Sequence, residues 1–560
     1  MADEPQVLRG INWRETFPFT HIFRTFRIAI HPSKLLLALL VVLSLYFGGR
    51  ILDALWARSS LAIPGEIALY ERSASSADFQ AARASAQRNA NSLYETLQQQ
   101  TALAKKISVA QVSPSDVRYW IARTERQRML EDAAKYSQPT AIDQARRRVD
   151  QWVSNGLQTV DTVTGQGLFI TFFDYQATQI QNVVDAVLDW NWLGGLPGNR
   201  TPVDGVFVST YKFFTAAPAW AAHYHWLYFL LYGSLFLAVW SLFGGAIARI
   251  AAVHVADEGR KLSMRQGLGF AVSKFLSFLS APLIPLIIVA AIGLGLAVIA
   301  GIAFLIYLDV LIGAFYFLAL AAGFIMTLVL LGTAGGFSLM YPTIAVEGSD
   351  SFDAISRSFS YVYSKPWKML FYSAVAIVYG ALTYLFVRFF IWLVLTVTHF
   401  CVGLLIFTRL APGNTDIWSM LQPAPTFRNL PFLINFESLN SYGDITAFFL
   451  AAWVYLVIAM LGAFAISFYI SASTIIYYLI RRDADATELD DVYLEQPEED
   501  LVEAPVPAPA PAAEEATTSA PAEKAVPVPA ESAAAVYPTP ESPAAPSDPK
   551  ESSPSNPPNA

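Results

Sequence analysis

The sequence has 560 residues, 54% of them hydrophobic and only 15% charged, which is too apolar for an ordinary soluble domain and too interrupted for a fibre. The formal charge is −8, yet from Arg481 onward 17 acids stand against 4 bases, a local charge of −13, so the rest of the chain carries +5. No basic patch stands apart from the Arg and Lys beside apolar segments, which excludes nucleic acid as a partner, and the single cysteine, Cys401, excludes disulfide frameworks and thiolate metal centres.

Residues 1–34 read as a cytoplasmic N-terminus. Phe19, Ile22, Phe23, Phe26 and Ile30 share one helical face and Arg24 and Arg27 another, the pattern of a helix lying in the lipid interface. Residues 35–52 are the first membrane crossing, close to the roughly 20 residues that a hydrocarbon core requires. Leu55 and Trp56 stand where a signal-peptide cleavage site would need small residues, so the segment is expected to stay as an anchor.

Residues 57–224 turn polar and are expected to form a helical extracytoplasmic domain. Three S/T-x-x-D starts, Ser75–Asp78, Ser113–Asp116 and Thr140–Asp143, resemble capping boxes, and Pro114 suits a first helical position. Arg118, Arg123, Arg126, Arg128 and the run Arg146–Arg148 read as solvated helix faces, or alternatively as a surface for polyanions or lipid headgroups. His223 and His225 sit in an aromatic belt with Trp220, Tyr224, Trp226 and Tyr228. They have no third ligand nearby and read as interfacial anchors, so no metal or other cofactor is expected.

Residues 226–480 read as a five-helix membrane domain, giving six crossings in all. Between Ala281 and Gly332 the only charged residue is Asp309, which marks the turn between the third and fourth crossings. Short flanks assigned to the inside hold 15 Lys and Arg against two, Arg409 and Arg428, in the outer loops, so both termini are expected to be cytoplasmic. Residues 481–560, acidic and then rich in Pro and Ala, are expected to be a disordered cytoplasmic tail.

An offset of 91 recurs between residues 244–279 and 335–370: Gly244 with Gly335, Gly245 with Gly336, Val255 with Val346, Ser273 with Ser364, Lys274 with Lys365, and Leu279 with Leu370. The repeated unit would be a crossing ending near Gly-Gly, a short inner helix and a second crossing, both copies running the same way. In the second copy Asp350 can cap a helix and Asp353 can pair with Arg357. Phe352, Ile355, Phe359 and Val362 form the apolar face of a helix expected to lie flat on the inner surface. Met264, Leu268 and Ala271 are the corresponding face of the first copy.

The segment PTIAVE followed by AISRS, with Pro342, Glu347, Ala354, Arg357 and Ser358, resembles one recurring in uncharacterised bacterial multi-pass inner-membrane families. It is also similar to the membrane domain that precedes some glycerophosphodiester phosphodiesterases. The ending with Arg481, Asp485 and Glu488 resembles the last-helix exit of the same uncharacterised proteins. The resemblance implies a bacterial inner-membrane setting. No phosphodiesterase domain follows Arg482, and no GxSxG, P-loop or HExxH motif is present, so no enzyme is expected.

Three polar residues are the functional candidates. Glu347 has no partner at local helical spacing. Arg388, in the outer half of the fifth crossing, needs either a partner, such as Asp309, Glu437 or Asp444, or a route to the headgroups. Asp309 is the third. Gly332, Gly335 and Gly336 can open a helix to a substrate or let two helices pack closely. These features point to a non-enzymatic scaffold or assembly protein with a protein partner at the extracytoplasmic domain or the tail, in contact with membrane lipids. The alternative is a transporter or lipid-handling permease built on the two repeats.

Overall fold

Six helices are long and apolar enough to cross a membrane: Pro32–Leu55, Trp226–Ala256, Leu283–Leu305, Val310–Glu347, Pro366–Gly403 and Ile445–Asp485. The computed structural model describes residues 17–56, 61–136, 138–195, 203–257, 262–305, 309–404, 410–411, 415–416, 418, 421–431 and 441–493. The expected disordered tail beyond residue 493 lies outside them, as do Glu437 and the side chains of Asp309 and Asp444. The chain is an all-α polytopic membrane protein. Among the described residues its only extended pairings are a two-residue ladder, Leu410–Ala411 with Thr415–Asp416, and one bridge between Ala62 and Gln166.

A 3-10 turn, Pro18–Arg24, leads into α1 (Thr25–Ala29) and the first crossing α2 (Pro32–Leu55). Part of the apolar face expected to meet the lipid interface packs on protein: Ile22, Ile28 and Ala29 are buried and the Phe26 ring meets those of Phe386 and Phe464, while Phe23 and Ile30 stay exposed.

The next region is helical, as composition and caps demand: α3 (Glu66–Arg72), α4 (Ser76–Lys105), α5 (Pro114–Tyr119), α6 (Arg126–Ala133) and α7 (Pro139–Thr164). Ser75 caps α4 through the Asp78 N–H, and Ser113 with Asp116 forms the full capping box of α5 with Pro114 in the first turn. The third start is misplaced by two residues. Helix α7 begins at Pro139 with Gln138 in the cap, since proline at a helix start sacrifices no hydrogen bond. Arg118 pairs with Asp161, Arg126 with Asp150 and Arg128 with Glu125, so these arginines serve the domain's own faces.

Helices α8 (Leu168–Leu188) and α9 (Val206–Tyr224) form a hairpin against the membrane helices. Asp53, at the end of α2, accepts the Phe169 and Ile170 N–H groups at 2.8 and 3.2 Å, so a residue 116 positions away satisfies the open start of α8. The Phe169 ring lies over Gly49, where any Cβ would clash at 2.2 Å.

The second crossing is α10 (Trp226–Val239), a π-turn at Trp240–Gly244 and α11 (Gly245–Ala256). Helix α12 (Met264–Ser273), capped by Ser263 and Gln266, folds back on α11, with Gly267 against Ile250 and the Ala246 carbonyl. Then come α13 (Phe275–Ser280), α14 (Leu283–Leu305), α15 (Asp309–Glu347), α16 (Ser351–Ser364), α17 (Pro366–Gly403) and α18 (Ser441–Asp485). At ~1.5 Å per residue, α15, α17 and α18 are each well beyond the ~30 Å of a hydrocarbon core. Their excess length converges with α1, α11, α12 and α16 in the largest buried cluster.

Helix α16 folds back on α15, and of the expected face Ile355, Phe359 and Val362 pack against the core while Phe352 does not. Ser351, Ala354, Ser358 and Tyr361 are the buried set and Phe352 points outward. Val362 and Ser358 approach Gly335 and Gly336 so closely that added Cβ atoms would lie at 2.9 and 3.2 Å, so the small residues of this contact are the glycines of α15, which admit both an apolar and a small side chain of α16. In the first copy the expected face packs, Ala271 fully buried and Met264 and Leu268 partly covered, with Gly267 and Phe270 buried beside them.

Candidate functional site

Glu347 ends α15 where α16, α18 and the residues after α18 meet. Its side chain is 9% exposed and takes Arg357 at 2.9 Å and Arg481 at 3.3 Å, while the Tyr477 hydroxyl donates to Oε1. The sequence left Glu347 without a local partner; Arg481, 134 residues away, and Arg357, ten away, supply the charge. Arg357 also holds Asp353 at 3.0 Å, and Asp350 caps α16 through the Asp353 N–H at 2.9 Å. Burial works against the Arg357 charge, but Asp353 and Glu347 together raise its pKa above the usual range.

The helix of the last crossing continues to Asp485, and the following residues dock, which moves the start of the expected tail. Arg481 grips Asp491 at 2.6 Å, and Tyr493 donates its N–H to the Val346 carbonyl at 2.8 Å. Arg249 bonds the Ala345 and Tyr493 carbonyls at 2.8 and 2.7 Å and lies over the Phe270 ring. Lys274 reaches the Gly348 carbonyl, and Gly348 has φ +65° with the Tyr493 ring 2.6 Å from the position of a Cβ, so glycine is required there twice over. Sequence reasoning counted Arg249 among the flanking charges. Its place inside an apolar run was the available signal, whereas Tyr493, Tyr477 and Asp491 offered none.

Arg388 is 3% exposed and is held by neutral oxygens: Nε donates to the Phe427 carbonyl at 3.0 Å, and Nη2 to the Arg428 carbonyl at 2.8 Å and to Gln181 Oε1 at 3.1 Å. The segment between α17 and α18 thus supplies two of the three acceptors, and the carboxylates expected there, Glu437 and the side chains of Asp309 and Asp444, lie outside the described residues. The nearby acids belong to Arg428, which bonds Asp189 at 3.0 Å and lies 3.7 Å from Asp185. Asp309 is the first residue of α15, and its side chain lies outside the described residues.

In the helical layer between the first two crossings Glu66 is fully buried, accepting the Ile63 N–H at 2.8 Å and the Trp220 indole at 3.2 Å beside Arg83 at 3.2 Å. Burial raises its pKa despite these partners. His223 is exposed, whereas His225 lies against the Trp220 ring at 4.9 Å with its Nε2 buried and unbonded. Burial, helped by the Arg83 charge, pushes the His225 pKa down to about 4. The folded state therefore favours the neutral ring, so stability is complete above the ordinary value near 6.5 and is lost as pH falls toward 4. A melting temperature measured from pH 7.5 to 4.5 should fall more steeply for the wild type than for His225→Phe; parallel curves would refute this.

Among the described residues no group of three or more His, Cys, Asp or Glu is placed to hold a metal. Compared with known proteins, the chain matches no family model, no curated protein and no solved structure.

Proposed function

We propose that the protein is a non-enzymatic multi-pass scaffold or assembly protein of a bacterial inner membrane, linking a helical periplasmic domain to its C-terminal segment, with both termini cytoplasmic. The observation that carries this reading is how its buried charges are used. Glu347, Arg249 and Arg481 tie α15, α11 and α18 to Asp491 and Tyr493, and Arg388 ties α17 to α8 and the outer loop. Charges consumed in joining distant segments suit a rigid connector. Protein partners are expected at the 66–164 helices or beyond residue 493. In-cell crosslinking with mass spectrometry should repeatedly recover the same protein neighbours from these regions; repeated recovery of none would count decisively against the scaffold. Reporter fusions after Tyr224 and Asn414 should read outside and one after Ser349 inside.

A second reading, a transporter or lipid-handling permease on two parallel repeats, is favoured by one correspondence. Gly267 packs on α11 beside Ala246, and at an offset of 91 Ser358 packs on Gly336, the counterpart of Gly245. Labelling of single cysteines introduced between the two hairpins, after replacement of the exposed Cys401, separates the readings: water-accessible positions through the bilayer would favour the permease.

A further inference from the structure

The α8–α9 hairpin lies against the middle of the crossings, not beyond their ends. The Phe169 and Phe173 rings each meet Tyr46 of α2 at 5.7 Å, roughly nine residues or 13 Å short of the end of that helix at Leu55. Toward the tip, Gln181 bonds Arg388, and Asp189 pairs with Arg428, whose carbonyl also holds Arg388. The level of Arg388 follows from two close approaches: Gly380 of α17 adjoins Phe468 of α18, and Gly462 of α18 adjoins Val42 of α2. Counted along these antiparallel helices, Arg388 stands opposite about residue 44 of α2, near the midpoint of that crossing. Both ends of the hairpin return to one side. Asp53, near the end of α2, caps the start of α8 and also accepts from Tyr228 at 3.5 Å, just after α9 has passed into α10.

At this depth α9 turns an apolar face away from the protein. Phe207, Tyr211 and Phe214, spaced four and three residues apart, are 57, 68 and 69% exposed. The outward surface of α2 leads onto the hairpin, since the exposed Phe47 meets Tyr46 edge-on and Tyr46 meets Phe173, itself exposed. The polar groups satisfy what hydrocarbon demands, that charges be paired and backbone be bonded internally. Lys212 pairs with Asp204 and Glu71, Asp185 and Asp189 pair with Arg428, and Asp174 accepts from Gln166. In the turn, the Gly205 and Val206 N–H groups reach the Gly194 and Asn191 carbonyls at 2.8 and 3.1 Å.

We infer that α8–α9 is a re-entrant hairpin, embedded in the bilayer from one face without crossing it, with Phe207, Tyr211 and Phe214 in contact with acyl chains. The water-exposed domain then ends near Thr164 instead of Tyr224. This placement holds for a scaffold and a permease alike.

The test spin-labels single cysteines in the full chain, after Cys401→Ser removes the exposed native thiol, in vesicles of phosphatidylcholine and phosphatidylglycerol. Phe207→Cys, Tyr211→Cys and Phe214→Cys report on the hairpin, Leu103→Cys on the exposed surface of α4 and Leu294→Cys on the exposed surface of the crossing α14. Electron paramagnetic resonance compares relaxation by oxygen, which concentrates in hydrocarbon, with relaxation by a polar nickel complex, which stays in water. The oxygen-to-nickel ratio at the hairpin positions should match that of Leu294→Cys and exceed that of Leu103→Cys about tenfold, because hydrocarbon excludes the polar complex. The three positions share one face, so any one that folds decides the matter. A ratio equal to that of Leu103→Cys would place the face in water, and inaccessibility to both reagents would place it against protein, a second copy included; either result would overturn the proposal.

Discussion

Replacing Glu347 by alanine is expected to cost about 3 kcal/mol of unfolding free energy, toward the lower end of what breaking a buried pair costs. The loss falls chiefly on Arg481, 10% exposed, which would keep only Asp491, itself more than half exposed. Arg357, 42% exposed with Asp353 still in place, adds little because water screens its charge. Glu347→Gln should cost less, since an amide oxygen can still accept from Tyr477 and the arginines. Combining Glu347→Ala with Arg481→Met should cost less than the two single changes added, because the second removes the charge that the first leaves bare. Thermal and denaturant unfolding of the purified variants measures all three; a wild-type transition for Glu347→Ala would show that the cluster is incidental to the fold.

Arg388→Leu is expected to cost about 3 kcal/mol as well, by a different route. It leaves the Phe427 and Arg428 carbonyls and the Gln181 amide oxygen without a donor, and unsatisfied buried acceptors cost roughly 1–3 kcal/mol each before water relieves some of them. Gln181→Ala removes one acceptor and should cost about 1 kcal/mol. Protection of the 421–431 segment against proteolysis should drop in Arg388→Leu and stay near wild type in Gln181→Ala. Equal protection in both would mean that the arginine does not hold the loop.

The two sites were legible to different depths. The cap at Asp350 and the Asp353–Arg357 pair follow from spacings of three and four on one helix, and both form as expected. Glu347 was recognisable as a carboxylate lacking a local partner, but its main buried partner lies 134 residues on, in a helix whose neighbours no local pattern names. Arg388 was recognisable as costly, yet its acceptors are main-chain carbonyls, which every residue possesses and no sequence advertises.

Apolar patterning also left lipid and protein indistinguishable as destinations. The face of Phe19, Phe26 and Ile22 reads as a membrane-surface helix because burial against α17 and α18 requires the same side chains as burial in lipid. In α16 the apolar pattern found Ile355, Phe359 and Val362, which pack on the core, but also Phe352, which is exposed, and it missed Ala354 and Ser358, because close approach to the α15 glycines admits small side chains as well as apolar ones.

By itself the sequence determined the six crossings, the helical layer before the second of them and most helix starts, since length, hydropathy and caps are local properties of the chain. Tertiary structure alone decided which charges meet, how far the C-terminal segment is docked and which crossings the α8–α9 hairpin lies against, because each depends on surfaces brought together from positions tens to hundreds of residues apart.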